Sequence, residues 1–356
     1  MSVLHVIAGL GIGGAERSLL QIASGLKARG MPQHVVSLGR GNELRGAFET
    51  SGVPVTELDA SIWSIPRMLG HIVRIVANET PRAIQGWMYH GDIAAALAHR
   101  LAPGRKQRKL FWNLRASNMD AARYGWLIRA EAWLSSWPDA IIANSKRGAA
   151  EHVRFGYRPR RLEVIANGVD VARFRSDAET RRAVRAELGI SQDALVVINV
   201  ARVDKMKDHP TFLRAMEMTP NVTGLLVGKD TDTLALPPNA RALGARHDVE
   251  RLYAAADVVV SSSAFGEGFS NAIAEGMSAG LVPIATDVGD AAAIIGETGR
   301  IVPPGEGSAL VFAIIAEAGL PQTERAARGA AARQRIVDRY SIDSAVSAYE
   351  RLYSSV

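Results

Sequence analysis

Residues 264–289 read AFGEGFSNAIAEGMSAGLVPIATDVG, and an apolar run from Asp257 to Ser261 leads into them. A buried strand, a Gly-rich turn and a helix from about Ser270 to Ala279 account for this pattern. The amide N–H groups of the helix's first turn then point out toward the turn, an arrangement suited to polyhydroxyl and phosphate ligands. Glu267 and Glu275 stand eight positions apart, just over two helical turns. Glu275 therefore sits on the helix and Glu267 before its start, and both can face one cleft. Each carboxylate accepts two hydroxyl hydrogen bonds, which is what a sugar or a ribose offers.

At these residues the chain resembles the retaining nucleotide-sugar glycosyltransferases of family 4, which have the GT-B fold. The family signature is Glu, seven residues, Glu, with Gly-Phe after the first, and it is met by Glu267, Gly268, Phe269 and Glu275. The resemblance implies that Glu267 and the backbone of Gly268, Phe269, Ser270 and Asn271 hold the donor sugar, and that Glu275 binds the ribose. It further implies that Arg202 and Lys207, in ARVDKMKDH (201–209), clamp the donor diphosphate. Two fixed cations can neutralise such a leaving group where other folds use a metal ion. The segment around Arg246 resembles the one that seats the nucleobase. Asp230-Thr231-Asp232 lies in a polar loop without further ligands and reads as surface, so we expect no metal and no cofactor beyond the co-substrate.

A chain of 356 residues is long for one core and suits two domains. Apolar residues are 47% and charged residues 22%, as in globular proteins, and the chain has no cysteine, which excludes disulfides and thiolate chemistry. No apolar run approaches the roughly 20 residues of a membrane span, and no leader pattern opens the chain, so a cytoplasmic location is expected. The net charge of +6 is uneven: residues 1–170 carry 22 Lys and Arg against 13 Asp and Glu, and the remainder 20 against 23. No recognition helix, RNP-like pattern or zinc spacing supports nucleic acid as the partner of the basic half. Contact with an anionic membrane surface or a phosphorylated acceptor fits better.

The first strand, Val3–Ala8, is followed by Gly9-Leu10-Gly11-Ile12-Gly13-Gly14 and a helix from about Ala15 to Arg29. This layout places a phosphate over helix amides, and it formally matches G-x-G-x-x-G. A dinucleotide site expects an acid at the end of the second strand, but Gln33–Leu38 ends in Gly39-Arg40-Gly41, which leaves only an NADP variant with Arg40 on the 2′-phosphate. The family instead carries Gly-Gly-Ala-Glu here, matched by Gly13 to Glu16, with Gly13 and Gly14 toward the donor and Glu16 on the acceptor side.

Further strands at Val53–Leu58, Ala83–Trp87, Leu110–Leu114 and Asp139–Ala143 alternate with helices such as Pro66–Ala77 and Asp92–Leu101. That alternation implies a doubly wound parallel sheet. The loops after these strands hold His90, Arg115 and Asn144, which resemble acceptor-side residues, with His90 also a candidate for catalysis. Leu162–Ile165 closes the first half, and Val171–Ser191 reads as a polar, helical interdomain linker. Strands at Leu195–Val200, Gly224–Gly228, Asp257–Ser261 and Val282–Ala285 repeat the architecture.

The expected organisation is α/β: two Rossmann-like domains facing across a cleft, acceptor-binding at 1–170 and donor-binding at 171–340, with a C-terminal helix at 341–356 returning to the first. The resemblance implies metal-independent, retaining hexosyl transfer from a nucleotide-diphosphate sugar to a glycan or lipid-linked acceptor in cell-surface polysaccharide or glycoconjugate synthesis. Retention would follow a front-face displacement assisted by the departing phosphate. A sugar-nucleotide epimerase of the same fold and an NADP-dependent oxidoreductase are the alternatives. All six tryptophans, Trp63, Trp87, Trp112, Trp126, Trp133 and Trp137, lie in the basic half, the last three near one face of a helix predicted over 121–137. With Arg100, Arg105, Lys106, Arg108, Lys109, Arg158, Arg160 and Arg161 nearby, that face suits either core packing, which the pattern favours, or an interfacial membrane patch.

Overall fold

The computed structural model describes residues 2–40, 43–59, 64–115 and 121–355, with side chains of 121–124 not described. The chain divides into two compact units, residues 1–168 with 342–356, and residues 169–341. In the first, β1 (Val3–Ile7), β2 (Gln33–Ser37), β3 (Val55–Glu57), β4 (Ala83–Trp87), β5 (Lys109–Leu114), β6 (Ala140–Ala143) and β7 (Leu162–Val164) form a parallel sheet in the order 3-2-1-4-5-6-7. Helices cover both faces, so the central strands are buried on both sides and read as apolar runs rather than as alternations. One face packs Ile22 and Leu26 of the helix Gly14–Ala28 and Phe111 of β5 against Val346, Tyr349 and Tyr353 of the helix Ile342–Ser354. The other packs Leu4, Val6, Ile84 and Trp112 under the helices Ile65–Glu79, Met88–Leu101 and Ala121–Leu134.

Several polar side chains are buried inside this unit. The indole Nε1 of Trp87 donates to Nδ1 of His5 at 3.0 Å, which fixes the tautomer so that Nε2 of His5 donates to Oε1 of Gln33 at 2.8 Å. Burial pushes the His5 pKa down to about 4. Asp92 and Glu131, on facing helices, are both fully buried. Asn113 N donates to Oδ1 of Asp92 at 3.1 Å and the Tyr157 hydroxyl donates to Oε2 of Glu131 at 2.5 Å. Among the described residues, Oδ2 of Asp92 and Oε1 of Glu131 have no hydrogen-bond partner; burial, and for Asp92 the neighbouring Glu131 carboxylate, raises both pKa values, that of Glu131 to about 8.

In the second unit, β8 (Leu195–Val200), β9 (Val222–Val227), β10 (Ala240–Ala242), β11 (Val258–Ser261), β12 (Val282–Thr286) and β13 (Arg300–Val302) form a parallel sheet in the order 10-9-8-11-12-13. The expected doubly wound α/β architecture is therefore present twice. The edge strands β10 and β13 have no counterpart in the sequence reading, because three residues that include Arg241 or Arg300 carry no apolar run.

The segment 171–191 is not a free linker. Its helix, Ala178–Glu187, belongs to the second unit and inserts Arg185, which is fully buried. Arg185 donates to Oδ2 of Asp257 at 2.9 Å and to the carbonyl oxygens of Ala255, Ser191, Gln192 and Ala194. An Arg-rich stretch reads as solvated until its guanidinium donors meet acceptors that the rest of the fold supplies.

The tryptophan stripe is also corrected. Leu127, Ile128, Glu131 and Leu134 form the buried face of their helix, while Trp126 and Trp133 are 73% and 79% exposed. Trp63 lies outside the described residues. Among the described residues no helix is long and apolar enough to cross a membrane.

The acid pair yields a pH test. A carboxyl whose folded pKa is raised makes the folded state bind more protons than the unfolded one, so its contribution is lost as pH rises above the ordinary carboxylate value. Glu131→Gln keeps a donor toward Asp92 and removes this proton uptake. In urea unfolding, the stability of the variant relative to wild type should rise between about pH 5 and about pH 8, by up to roughly 1.4 kcal/mol per pH unit. A pH-independent difference would show that the pair folds without the proton.

Candidate functional site

In each sheet the winding reverses once, between β1 and β4 and between β8 and β11. Loops that leave the carboxyl ends of such a strand pair diverge, and the crevice between them is where open α/β sheets bind ligands. In the second unit the two loops at that point are 201–208 after β8 and 262–270 after β11. They carry the residues singled out from sequence.

The loops are stitched together. Ala264 N donates to the carbonyl of Met206 at 2.8 Å, and Oγ of Ser262 to that of Lys207 at 2.9 Å. Across this seam the Lys207 ammonium donates to Oε1 of Glu267, which also accepts from Oγ of Ser263 at 2.7 Å. Both charged side chains are largely withdrawn from solvent, with 22% and 12% of their surfaces exposed, so the pair is only partly screened. A third loop completes the cradle from behind. Gly289, at φ +60°, lies so close that a Cβ there would fall 2.5 Å from the carbonyl oxygens of both Glu267 and Gly268, and Asp290 N donates to Gly268 O at 3.0 Å. Gly228, at φ +149°, similarly leaves room for the backbone of Ala201, at the start of the first loop.

The helix Asn271–Ser278 starts directly after the turn. Its first ladder bond runs from Ala274 N to Ser270 O, and the Ser270 side chain makes no capping bond, so the first-turn amides sit outside the helical ladder at the mouth of the site. Phe269 is buried and packs on Tyr340, with ring centroids 5.5 Å apart, which fixes the turn from below. Glu275 lies one face along, half-buried, with the buried Tyr253 hydroxyl donating to Ala272 O at 3.0 Å and reaching Oε2 of Glu275 at 3.5 Å.

Arg202 and Lys207 leave the same strand but do different things. Arg202 is largely exposed and pairs with Asp204 at 3.0 Å. The Asp204 carboxylate also accepts Met206 N at 2.9 Å, and that backbone bond, then the Arg202 bond, lower its pKa. Arg246 is held by Asp248 through two bonds of 2.8 Å.

In the first unit the corresponding crevice lies between the ends of β1 and β4. Gly13 precedes the helix Gly14–Ala28, and the Glu16 side chain folds back against Gly13, where burial raises its pKa. His90 is exposed in the first turn of the helix Met88–Leu101, not in a loop, because Met88 takes the left-handed conformation at φ +61° and starts the helix immediately after β4. Arg115 is a packing hub: it bonds Asn113, Asn167 and Tyr349 and lies 4.8 Å over the ring of Trp87. Asn144 is buried, its backbone N donating to Leu114 O at 3.2 Å.

Ser263, Asp204, Tyr253 and Gly289 were not singled out from sequence. The run Ser261-Ser262-Ser263 before the turn and the Gly closing the quoted stretch were the available signals. Among the described residues no cluster of three or more His, Asp or Glu is arranged to hold a metal ion.

Residues 12–173 match the family model described as Glycosyltransferase Family 4, and residues 194–317 match that described as Glycosyl transferases group 1. A D-inositol 3-phosphate glycosyltransferase of Xylanimonas cellulosilytica is 29% identical over 237 residues, covering 61% of this chain and 57% of the relative. One from Rhodococcus erythropolis is 33% identical over 189 residues, covering 46% of this chain and 42% of the relative. The chain thus matches about half the length of these curated relatives. Among solved structures, Anabaena HepE in complex with UDP superposes with a TM-score of 0.88 at 22% identity over 100% of both chains. Sucrose-phosphate synthase from Thermosynechococcus elongatus does so with a TM-score of 0.83 at 19% identity, covering 100% of this chain and 99% of that one.

The close approach at Gly289 sets a test of the cradle. Gly289→Ala adds left-handed strain of roughly 1–2 kcal/mol and a carbonyl clash, so it should lower the melting temperature and displace the Glu267 turn. An unchanged melting curve would show that the three loops are not held as tightly as their geometry requires.

Proposed function

The chain belongs to the family 4 glycosyltransferases of the GT-B fold, and we propose that it moves a sugar from a nucleotide-diphosphate-sugar donor to a glycan or lipid-linked acceptor, with retention at the anomeric carbon. The observation that carries this reading is the Lys207–Glu267 pair at the switch point between β8 and β11, beside the first turn of the helix Asn271–Ser278. The second unit then serves as the donor domain and the first as the acceptor domain. A donor diphosphate competes with Glu267 for the Lys207 ammonium, and the released carboxylate turns to the sugar hydroxyls. First-turn amides of the helix add donors toward the same groups. Glu275 takes the ribose hydroxyls, Arg246 stands toward the base, and Arg202 leaves Asp204 for the diphosphate.

The chemistry asked of these residues is charge stabilisation. Negative charge grows on the diphosphate as the glycosidic bond breaks, so the attraction of Lys207 and Arg202 is greater in the transition state than in the ground state. His90, Glu16 and Asn144 are the acceptor-side candidates, and Arg115 acts on that side by holding Asn113 and Asn167 in place. No divalent metal or cofactor is required in this scheme, and turnover should persist in excess EDTA.

Thermal shift with UDP, GDP, ADP, CMP and NADP⁺ tests the class, because a ligand that binds only the folded state raises the melting temperature. UDP and UDP-glucose, named in the HepE structures, head the panel. Inositol 3-phosphate, from the names of the curated relatives, is the first acceptor to supply. A shift with NADP⁺ alone would replace the transferase by the oxidoreductase.

Kinetics then separate the two ends of the donor. Glu275→Ala removes a charge-assisted hydrogen bond made in both ground and transition states, so KM for the donor should rise about 10- to 150-fold with kcat little changed. Lys207→Ala should instead lower kcat by about 10²–10³, at an unchanged fold. An effect of Lys207→Ala on KM alone would reduce it to an anion-docking residue.

A further inference from the structure

The amino edge of the first unit's sheet, opposite the edge that carries Gly13 and His90, holds a cavity of about 640 Å³. It lies where the chain enters three adjacent strands: Lys109 opens β5, Asp139 precedes β6 and Arg160 precedes β7. Five cations line it, Arg105, Lys106, Arg108, Lys109 and Arg160. Asp139, the sole carboxylate among the described lining residues, is already engaged by Leu110 N at 2.9 Å and Lys109 Nζ at 3.4 Å. The cavity is therefore strongly electropositive.

Arg108 is the buried cation of this lining. The residue is 5% exposed, and its Nη2 donates to the carbonyls of Pro103 at 3.1 Å and Ala102 at 3.4 Å. Its Nε has no hydrogen-bond partner. A buried guanidinium that is not fully paired is costly, and an anion in the cavity beside it offsets its charge. Planar guanidinium donors beside ammonium groups match a phosphate.

One wall connects this cavity to an apolar rim. Trp137 lines it, with the Arg100 guanidinium 4.2 Å over its ring, and the Trp133 ring lies 6.4 Å further out. Trp133 and Trp126 are seven residues apart with Arg129 between, so all three share the exposed face of one helix. Two largely exposed indoles beside a cationic cavity suit a bilayer interface, where the rings enter the headgroup region and the cations meet the phosphates.

We propose that this edge of the first unit is a docking site for an anionic phospholipid bilayer, with one headgroup phosphate held in the cavity by Arg108, Lys106 and Arg160. It lies at the opposite sheet edge from the first unit's own crevice, and it does not depend on the transferase reading.

Flotation with phosphatidylcholine vesicles, with and without phosphatidylglycerol, tests the proposal on the full chain. The protein should float only with the anionic vesicles, and less at high salt. Binding should fall about 5-fold for each cation removed from the surface, hence about 30-fold or more for Lys106→Glu with Arg160→Glu. Trp126→Ser with Trp133→Ser should also weaken it, while the melting temperature stays unchanged as a folding control. Equal binding to both vesicle types, binding to neither, or no effect of the charge reversal would overturn the proposal. Soluble glycerol 3-phosphate is the other arm: binding it as tightly as the vesicle lipid, with loss of both in the charge-reversal variant, would replace the bilayer by a free phosphate ester.

Discussion

Parallel strands cannot be joined by a tight turn; every strand must be followed by a segment that travels back over the sheet before the next begins. Because such crossovers are right-handed, covering both faces of one sheet requires the winding to start from a central pair and proceed outward in both directions. That constraint is met between β1 and β4 and again between β8 and β11. Lys207 and Glu267 are sixty positions apart in sequence, yet they meet because their loops leave neighbouring strands at that reversal. The serine and glycine contacts around them follow from the same crowding.

Much of this was legible before any coordinates. Leu195–Val200 has the same limits in sequence and structure, because a β-branched run that is buried along almost its whole length leaves no competing reading; Ala83–Trp87, though interrupted by Gln85 and Gly86, also keeps its limits. The Glu267 to Glu275 spacing placed one carboxylate before a helix and one on it, and the structure shows that geometry. What stayed hidden depended on partners that sequence distance conceals. Arg185 looked solvated until Asp257, more than seventy positions away, supplied its acceptor. The helix bearing Trp126 and Trp133 carries residues of both kinds on every side in sequence, and its buried face is set by Leu127, Ile128 and Leu134, so the indoles that looked like core are outside.

The cations of the second unit share a device. Arg202 is held by Asp204 and Arg246 by Asp248, each partner two residues along the chain. Local carboxylates of this kind keep a basic site from accumulating unpaired charge, at the cost of weaker attraction for an anion until the arginine turns away. Lys207 differs in that its partner is the carboxylate assigned to the sugar. Nearby, Asp208 adopts the left-handed conformation at φ +46° and caps the next helix through Thr211, which pins the end of the loop while its middle carries the charges.

The helix Ile342–Ser354 gives the chain a temporal consequence. Its Tyr349 hydroxyl contacts Asn113 and Arg115, Tyr353 bonds Gln85, and the face it covers includes Ile22, Leu26 and Phe111. All of those partners are synthesised long before it. During translation the second unit can close on itself as soon as residue 341 has emerged, whereas the first waits with one side of its sheet bare. At about 5–20 residues per second, residues 169–341 take roughly ten to thirty-five seconds to make. For that interval the nascent chain carries a sticky, half-clad sheet behind the ribosome, and the domain encoded first is the last to be finished.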